Sequence, residues 1–581
     1  MSDLDELERL VGVMSTTWDG LGTQRTATDA TRCAVLRAMG HDVATPEDAS
    51  AALAAELEQR AREVVSCVLV AWDGDMTVRV NCPDSSVWRI DPVDLNDPVL
   101  DTPASGVVED DAITVTGLPH GFHELAIEVD GVIHRAHVIS APGRVYDGGF
   151  AQSRRWGVFA PTPGLWRAAD RSAGTLDHLA TAAMWAAKSG ASVIATLPLL
   201  ATTPGEASPY SPLSRRFWDD RIVSLADFGA NEVEVEVASP RRNPAADSAA
   251  TTAAIDALLA SDTSAAELAR RVLEEDPEIA RYARFRAAQE TLGADWRLWP
   301  EPARGGDLET LDLDPDVVRR HAFVQAAAER QLDFLGGHLN KIGVDLYLDL
   351  PIGSNPLGYD HWRGQHVFAE GIQTGAPPDA LFSGGQAWGF APPVPEAARL
   401  DGHSDFRASL DAHMHYAGIL RLDHVMSLER LYWVIDDATD GVYVHQPMME
   451  LFAIVSVLSH RHRTPVVGEN LGTVSDSIKA AMAERGLPGM HVAQFAPTWP
   501  APAGSVASIN THDLPRLAGW WNGDEIETLE ELGLLDEEDA ARERTHRQQM
   551  RAELSALAET EPSTGTVPES VVHQMLERLG H

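Results

Sequence analysis

Four short apolar runs in the chain each deliver a carboxylate at or just past their end, and this pattern restricts the possible folds more than any other feature. Run 344–350 (V-D-L-Y-L-D-L) carries Asp349, run 465–468 leads into Glu469, and run 506–509 leads through Asn510, Thr511 and His512 to Asp513. Between these, the strand-like run 416–420 is followed at once by Arg421, Asp423 and His424. Residues two apart on an extended strand share a side, so Arg421 and Asp423 are expected together. A guanidinium beside a carboxylate keeps it ionised. An isolated R-x-D reads as readily as a structural ion pair. The intervals between the runs leave room for helices, and carboxylates at the C-terminal ends of successive strands mark the active face of an α/β, (β/α)8 TIM-type barrel. Runs 156–159, 192–200 and 491–495 are further expected strands, with helices at 176–188 and 317–339.

The barrel is expected over 142–581, with charged amphipathic helices inserted around 245–304. Two smaller segments precede it. Residues 1–62 read as helical, with Leu7, Leu10, Val11 and Met14 at helical spacing and Gly40 placed to stop the second helix. Residues 63–141 switch to short runs rich in Val, Ile and Thr, with a hairpin signal at Asp130-Gly131, and predict a small antiparallel β-sandwich. Trp72 and Trp88 belong to its expected core, and Ala141-Pro142-Gly143 is its linker. The residues after Asp513 read as charged helices (525–535 and 540–557). They contain no eighth strand, so the barrel is expected to be C-terminally incomplete in this chain.

Charge narrows the partners. With 46 basic against 87 acidic residues the formal net charge is −41. Such a surface repels phosphate backbones, which argues against nucleic acid and suits a neutral ligand such as a sugar. The three cysteines, Cys33, Cys67 and Cys82, offer neither a disulfide framework nor a zinc spacing. No run has the length of a membrane span and the start carries no signal pattern, so a cytoplasmic protein without a membrane partner is expected.

Two carboxyl groups flanking a glycosidic bond suffice to cleave it; in retaining enzymes they stand roughly 5–5.5 Å apart. Asp423, beside Arg421, has the surroundings of the group that must stay charged. Partial burial of Glu469 would raise its pKa, as a proton donor requires. Asp513, next to His512, could hold ring hydroxyls of a distorted sugar. His424, Glu469, His512 and Asp513 could instead bind zinc, but they show no H-E-x-x-H spacing, and no metal or other cofactor is expected. No phosphate-binding glycine pattern follows a strand.

Several blocks occur in a fixed order: S-P-Y-S-P-L-S-R-R-F-W, D-L-P-I-G, G-A-P-P-D, G-Q-A-W-G, I-L-R-L-D-H, G-E-N-L-G, G-M-H-V-A-Q-F and N-T-H-D-L-P-R-L-A-G-W-W. Through them, residues from about 155 to 521 resemble the amylomaltases, the 4-alpha-glucanotransferases of glycoside hydrolase family 77. The helical start and the sandwich resemble the N-terminal extension of longer bacterial members. The resemblance implies transfer of alpha-1,4-glucan segments between maltose and maltodextrins through a covalent glycosyl-enzyme, with no metal. It implies Asp423 as nucleophile, Glu469 as general acid/base and Asp513 as transition-state stabiliser. Tyr210, Asp349, Arg421, His424, His512, Asp379, Gln386 and Trp388 are the implied substrate contacts. After D-L-P-I the family often continues into an Asp-Ser-x-Asp-like segment, where this chain has Gly353 to Asp360, and the closing N-x-P-G-T and N-W-R elements are absent. A retaining alpha-glucan hydrolase using the same residues, and a non-catalytic glucan-binding protein, are the alternative readings.

Overall fold

The computed structural model describes residues 2–93, 104–150, 154–167, 172, 174–234, 243–261, 263–379, 382, 384–436, 438–494 and 500–580. The chain divides into two compact units, Met1–Gly148 with Arg155–Val466, and Gly149–Arg154 with Val467–His581.

In the first unit, the strands Gly157–Phe159, Val193–Ala195, Asp345–Leu350 and Ile419–Leu422 lie parallel, in that order. Apart from Asp345, Asp349 and Arg421 their residues are uncharged and mostly apolar, and those of Asp345–Leu350 and Ile419–Leu422 are almost all buried, as expected of parallel strands covered on both faces. The strand before Asp423 is shorter and later than run 416–420 suggests. Tyr416 closes the helix Ser404–Tyr416, and Gly418 re-enters the sheet with its amide on the Leu346 carbonyl. Tyr416 continues the helix because its ring packs edge-on against Trp218, a contact that periodicity does not reveal. Next, the Leu420 amide donates to the Pro465 carbonyl, at the entry to Val466–Gly468 where the first unit ends.

A second sheet is formed by segments that follow Asp345–Leu350 and Ile419–Leu422, together with one from the start of the chain. It is antiparallel and runs Val13–Met14, Val442–His445, Arg430–Val434, Gln373–Ala376, Gln386–Ala387. Residues 1–62 are therefore not purely helical. The helices Asp3–Val11, Asp29–Ala38 and Ala49–Arg62 form, but between the first two lie the Val13–Met14 strand and a hairpin, Thr16–Trp18 with Gln24–Thr26. Strands of two or three residues are too short to register in a hydrophobic period, and these are held by pairing. Leu4, Leu7, Val35 and Leu36 share one core with Ile372, Leu431, Trp433, Val442 and Val444. Burial of these side chains, at about 1.5–3 kcal/mol each, joins the N-terminal helices to that sheet.

Residues 63–141 form a five-stranded and a two-stranded sheet over a common core that includes Trp88, Ile90, Ile113, Leu125 and Ile127. Trp88 is buried there with its indole N–H on the Val107 carbonyl. One pairing differs from the expected all-antiparallel arrangement: Val68–Trp72 runs parallel to Val132–Ala141. Alternation of apolar and polar residues looks the same in either direction, so sequence carries no signal for it. The inserted helices Pro244–Ser261, Thr263–Glu275 and Pro277–Leu292 lead to an aromatic core of Phe217, Tyr282, Phe285, Trp296, Trp299, Tyr359 and Trp362.

In the second unit, Met490–Val492 and Val506–Ser508 pair in parallel. The expected strand at 491–495 thus starts and stops earlier, and its Phe495 lies outside the described residues. From Leu517 onward the elements are helices, packed around Trp520, Trp521, Met550, Leu554, Val571 and Met575.

Candidate active site

Arg421 is the hub of the first unit's polar cluster. It is the register partner of Asp349 on the adjacent parallel strand, so both side chains leave the same face of the sheet. Its Nη1 lies 2.7 and 2.8 Å from the two Asp349 oxygens and 2.9 Å from Asp423 Oδ1. Arg421 and Asp349 are buried, whereas Asp423 keeps partial access to solvent. The Asp423 amide donates to the Leu350 carbonyl, which fixes the residue at the mouth of the strand pair. One guanidinium thus serves a buried carboxylate and an accessible one, and holds both in fixed positions.

Tyr210 stands on the proline-rich loop Ser208–Pro212 and donates its hydroxyl to Asp349 Oδ2 at 2.6 Å. Loss of solvent, reinforced by the Asp349 charge, pushes its phenol well above the usual range, so the hydroxyl remains a donor. His424 follows Asp423 in the left-handed region, at φ 48° and ψ 64°. That conformation is uncommon for a residue with a Cβ and turns the chain sharply out of the strand. The imidazole meets Trp388 edge-on at 5.1 Å. Burial first, and Arg430 second, lower its pKa to about 4, so the ring is neutral at pH 7. Trp388 is aimed by its indole N–H on Gln386 Oε1 (3.3 Å) and its amide on the Thr374 carbonyl. Asp379, on the same loop, accepts from the Phe382 amide.

One brace escapes the sequence reading. The buried Asp360 accepts from Ser214 Oγ at 2.5 Å and from the Arg215 amide at 2.7 Å, while Arg215 pairs with Asp405 and donates to the Ile352 carbonyl. It ties the Gly353–Asp360 segment to the loop that carries Tyr210. Burial and the nearby Asp405 charge raise the Asp360 pKa. The pairing of S-R-R with the later Y-D-H-W-R was the only available signal, and it spans too many residues to read as a motif.

In the second unit, Glu469 directly follows the Val466–Gly468 strand and is 7% exposed. Its Oε1 accepts from the Leu471 amide at 2.5 Å. Asn470 accepts from the Met490 amide, and a Cβ on Gly489 would lie 2.6 Å from its side chain, so that glycine permits the close approach. His512 Nε2 and Asp513 Oδ1 are 3.1 Å apart, with the Asp513 side chain 68% exposed.

Carboxylates at the C-terminal ends of parallel strands, with an arginine and a tyrosine holding one of them, define a (β/α)-barrel enzyme. The comparisons give the family. Residues 161–580 match the family model described as 4-alpha-glucanotransferase, and the chain belongs to this family. It is 30% identical over 596 aligned residues to the 4-alpha-glucanotransferase of Mycobacterium tuberculosis, spanning 92% of this chain and 82% of the relative. The structure resembles that of amylomaltase from Corynebacterium glutamicum with a TM-score of 0.80, at 23% identity over 96% of this chain and 86% of the other. It resembles amylomaltase from Streptococcus agalactiae in complex with acarbose with a TM-score of 0.59, at 18% identity over 73% of this chain and 87% of the other. These likenesses show an α/β, TIM-barrel-like fold.

Proposed function

We propose that this 4-alpha-glucanotransferase moves alpha-1,4-glucan segments between maltose or maltodextrins by a retaining double displacement on Asp423, Glu469 and Asp513. The observation that carries the reading is the 2.9 Å contact between Arg421 and the accessible Asp423. It supports an oriented, ionised oxygen as the nucleophile.

Asp423 attacks the anomeric carbon of the donor while Glu469 gives its proton to the departing glycosidic oxygen, leaving the segment esterified to Asp423. Glu469 then takes the proton of the acceptor's 4-hydroxyl, which displaces Asp423 and restores the alpha linkage. Asp513 stabilises the oxocarbenium-like transition state, and His512 beside it contacts the sugar. Tyr210, Asp349, Arg421, His424, Asp379, Gln386 and Trp388 contact sugar, and neutral His424 serves as a hydrogen-bonding group rather than a cation. The net charge of −41 suits a neutral glucan and disfavours nucleic acid. Among the described residues no helix is long and apolar enough to cross a membrane; a cytoplasmic location without a membrane partner belongs to the same reading. So does a domain division at 1–62, 63–141 and 142–581, with a sandwich ahead of the barrel.

Incubation with maltotriose tests the proposal. Glucose together with a ladder of longer maltodextrins, abolished by Glu469→Gln in a folded protein, is the expected result. Glucose and maltose without longer products would replace transfer by hydrolysis. No products from the folded wild type would overturn catalysis by this chain.

A further inference from the structure

The N-terminal hairpin has a face that the catalytic proposal does not use. Register pairs Thr16 with Thr26, Thr17 with Arg25 and Trp18 with Gln24, so Thr16, Trp18, Gln24 and Thr26 share one side. That side is solvent-exposed, with Trp18 at 62%, whereas Thr17 on the opposite side is buried. Arg25 also lies on the inner side, bonded to Asp19 at 2.7 Å. The outward face is consequently neutral: an indole, an amide and two hydroxyls, the latter 3.1 Å apart. On a chain of net charge −41 this is an unusual composition.

The hairpin is also built to stay in place. Asp19 accepts from the Leu21 and Thr23 amides at 3.0 and 2.8 Å, which shapes the turn. The Gly20 amide donates to the Pro378 carbonyl at 2.8 Å, and a Cβ on Gly20 would stand 2.7 Å from the Asp379 Cβ. Asp379 belongs to the loop between Gln373–Ala376 and Gln386–Ala387 that also leads to Trp388. The hairpin is therefore seated against the stretch whose residues are proposed to contact sugar.

We infer that this face is an additional binding surface for alpha-1,4-glucan, with Trp18 as a stacking platform and Gln24 as a hydrogen-bonding group, engaged by chains long enough to run past the catalytic residues. The inference rests on the transferase reading and specifies its substrate. An aromatic ring matches the apolar face of a glucose unit, and amide and hydroxyl groups match its rim. An anionic ligand would require cations, and the one arginine of the hairpin is turned inward. A protein partner would require a larger apolar patch than Trp18 and Leu21 provide.

Trp18→Ala in the full chain tests it, because an exposed residue can be removed without disturbing the fold. KM for a long maltodextrin is expected to rise roughly fivefold, the equivalent of one lost aromatic contact. KM for maltotriose should change by less than about twofold. Retardation of the wild type in a gel containing soluble amylose should weaken in Trp18→Ala and in Gln24→Ala. An unchanged KM and mobility with long glucan, or an equal rise for both substrates, would overturn the inference while transfer from maltotriose persisted. Absence of transfer by the wild type from either substrate would overturn the transferase reading instead, and amylose retardation would then report on the hairpin alone.

Discussion

Arg421 and Asp349 face each other across two parallel strands, with one guanidinium nitrogen 2.7 and 2.8 Å from the two carboxylate oxygens. The same nitrogen lies 2.9 Å from Asp423. Arg421→Lys should therefore lower kcat by about 100-fold with a much smaller change in KM, because a single ammonium cannot hold both carboxylates in the fixed planar geometry. Steady-state kinetics on maltotriose, with circular dichroism to confirm folding, decides this. A kcat within a few-fold of wild type would show that Asp423 does not depend on Arg421.

Gly358 is expected to tolerate no side chain. A Cβ there would meet the Leu213 carbonyl oxygen at 2.2 Å, next to the loop that presents Tyr210. Gly358→Ala should destabilise the first unit by about 1–3 kcal/mol through overpacking. A lower Tm together with reduced transfer would be seen, and an unchanged Tm would contradict the close approach.

His413 makes acid sensitivity testable. Burial lowers its pKa from 6.5 to about 4, although the Ser409 carbonyl at 3.0 Å favours the proton. The unfolded chain binds a proton below about pH 6.5 that the folded chain refuses until about pH 4, so stability falls as pH drops through this window. His321, His361 and His424 are also lowered to about 4 and act in the same direction. In urea titrations between these pH values, His413→Gln should lose less stability than wild type, by on the order of 2 kcal/mol. Parallel curves for the two proteins would refute the assignment.

Asp440 ties the start of the chain to the sheet that carries Gln386. It accepts from the Thr28 amide and hydroxyl and from the Thr31 hydroxyl, each at 2.8 Å. Asp440→Ala leaves these donors to water and should cost about 1–3 kcal/mol. Faster proteolysis within the first 30 or so residues is the expected local sign. Cleavage at the wild-type rate would mean that the core around Leu7 and Trp433 holds the segment unaided.

Much of the candidate site was legible because its elements are local. The meeting of Arg421 with Asp423 follows from the two-residue repeat of a strand, and the placement of Glu469 follows from the short apolar run before it. Tyr210 was legible as a loop residue from the prolines around it and Asp349 as a strand-end carboxylate, but the hydrogen bond between them was not. Asp360 carried no signal of its role, since its partners Ser214 and Arg215 lie on a distant segment. The hairpin between the first two helices was invisible, because Thr16–Trp18 and Gln24–Thr26 are shorter than any period that could announce them.

The sequence by itself determined the longer helices, the apolar strands that lead to the carboxylates and how acidic the surface is, since all of these depend on neighbouring residues and on composition. Tertiary structure decided that Asp349 opposes Arg421, that Val68–Trp72 pairs in parallel, and that the first 62 residues contribute a strand to the sheet bearing Gln386. Those outcomes depend on strand register and on the burial of side chains remote in the chain, such as Leu7 against Trp433. Such packing energies belong to pairs of surfaces and cannot be read from either segment alone.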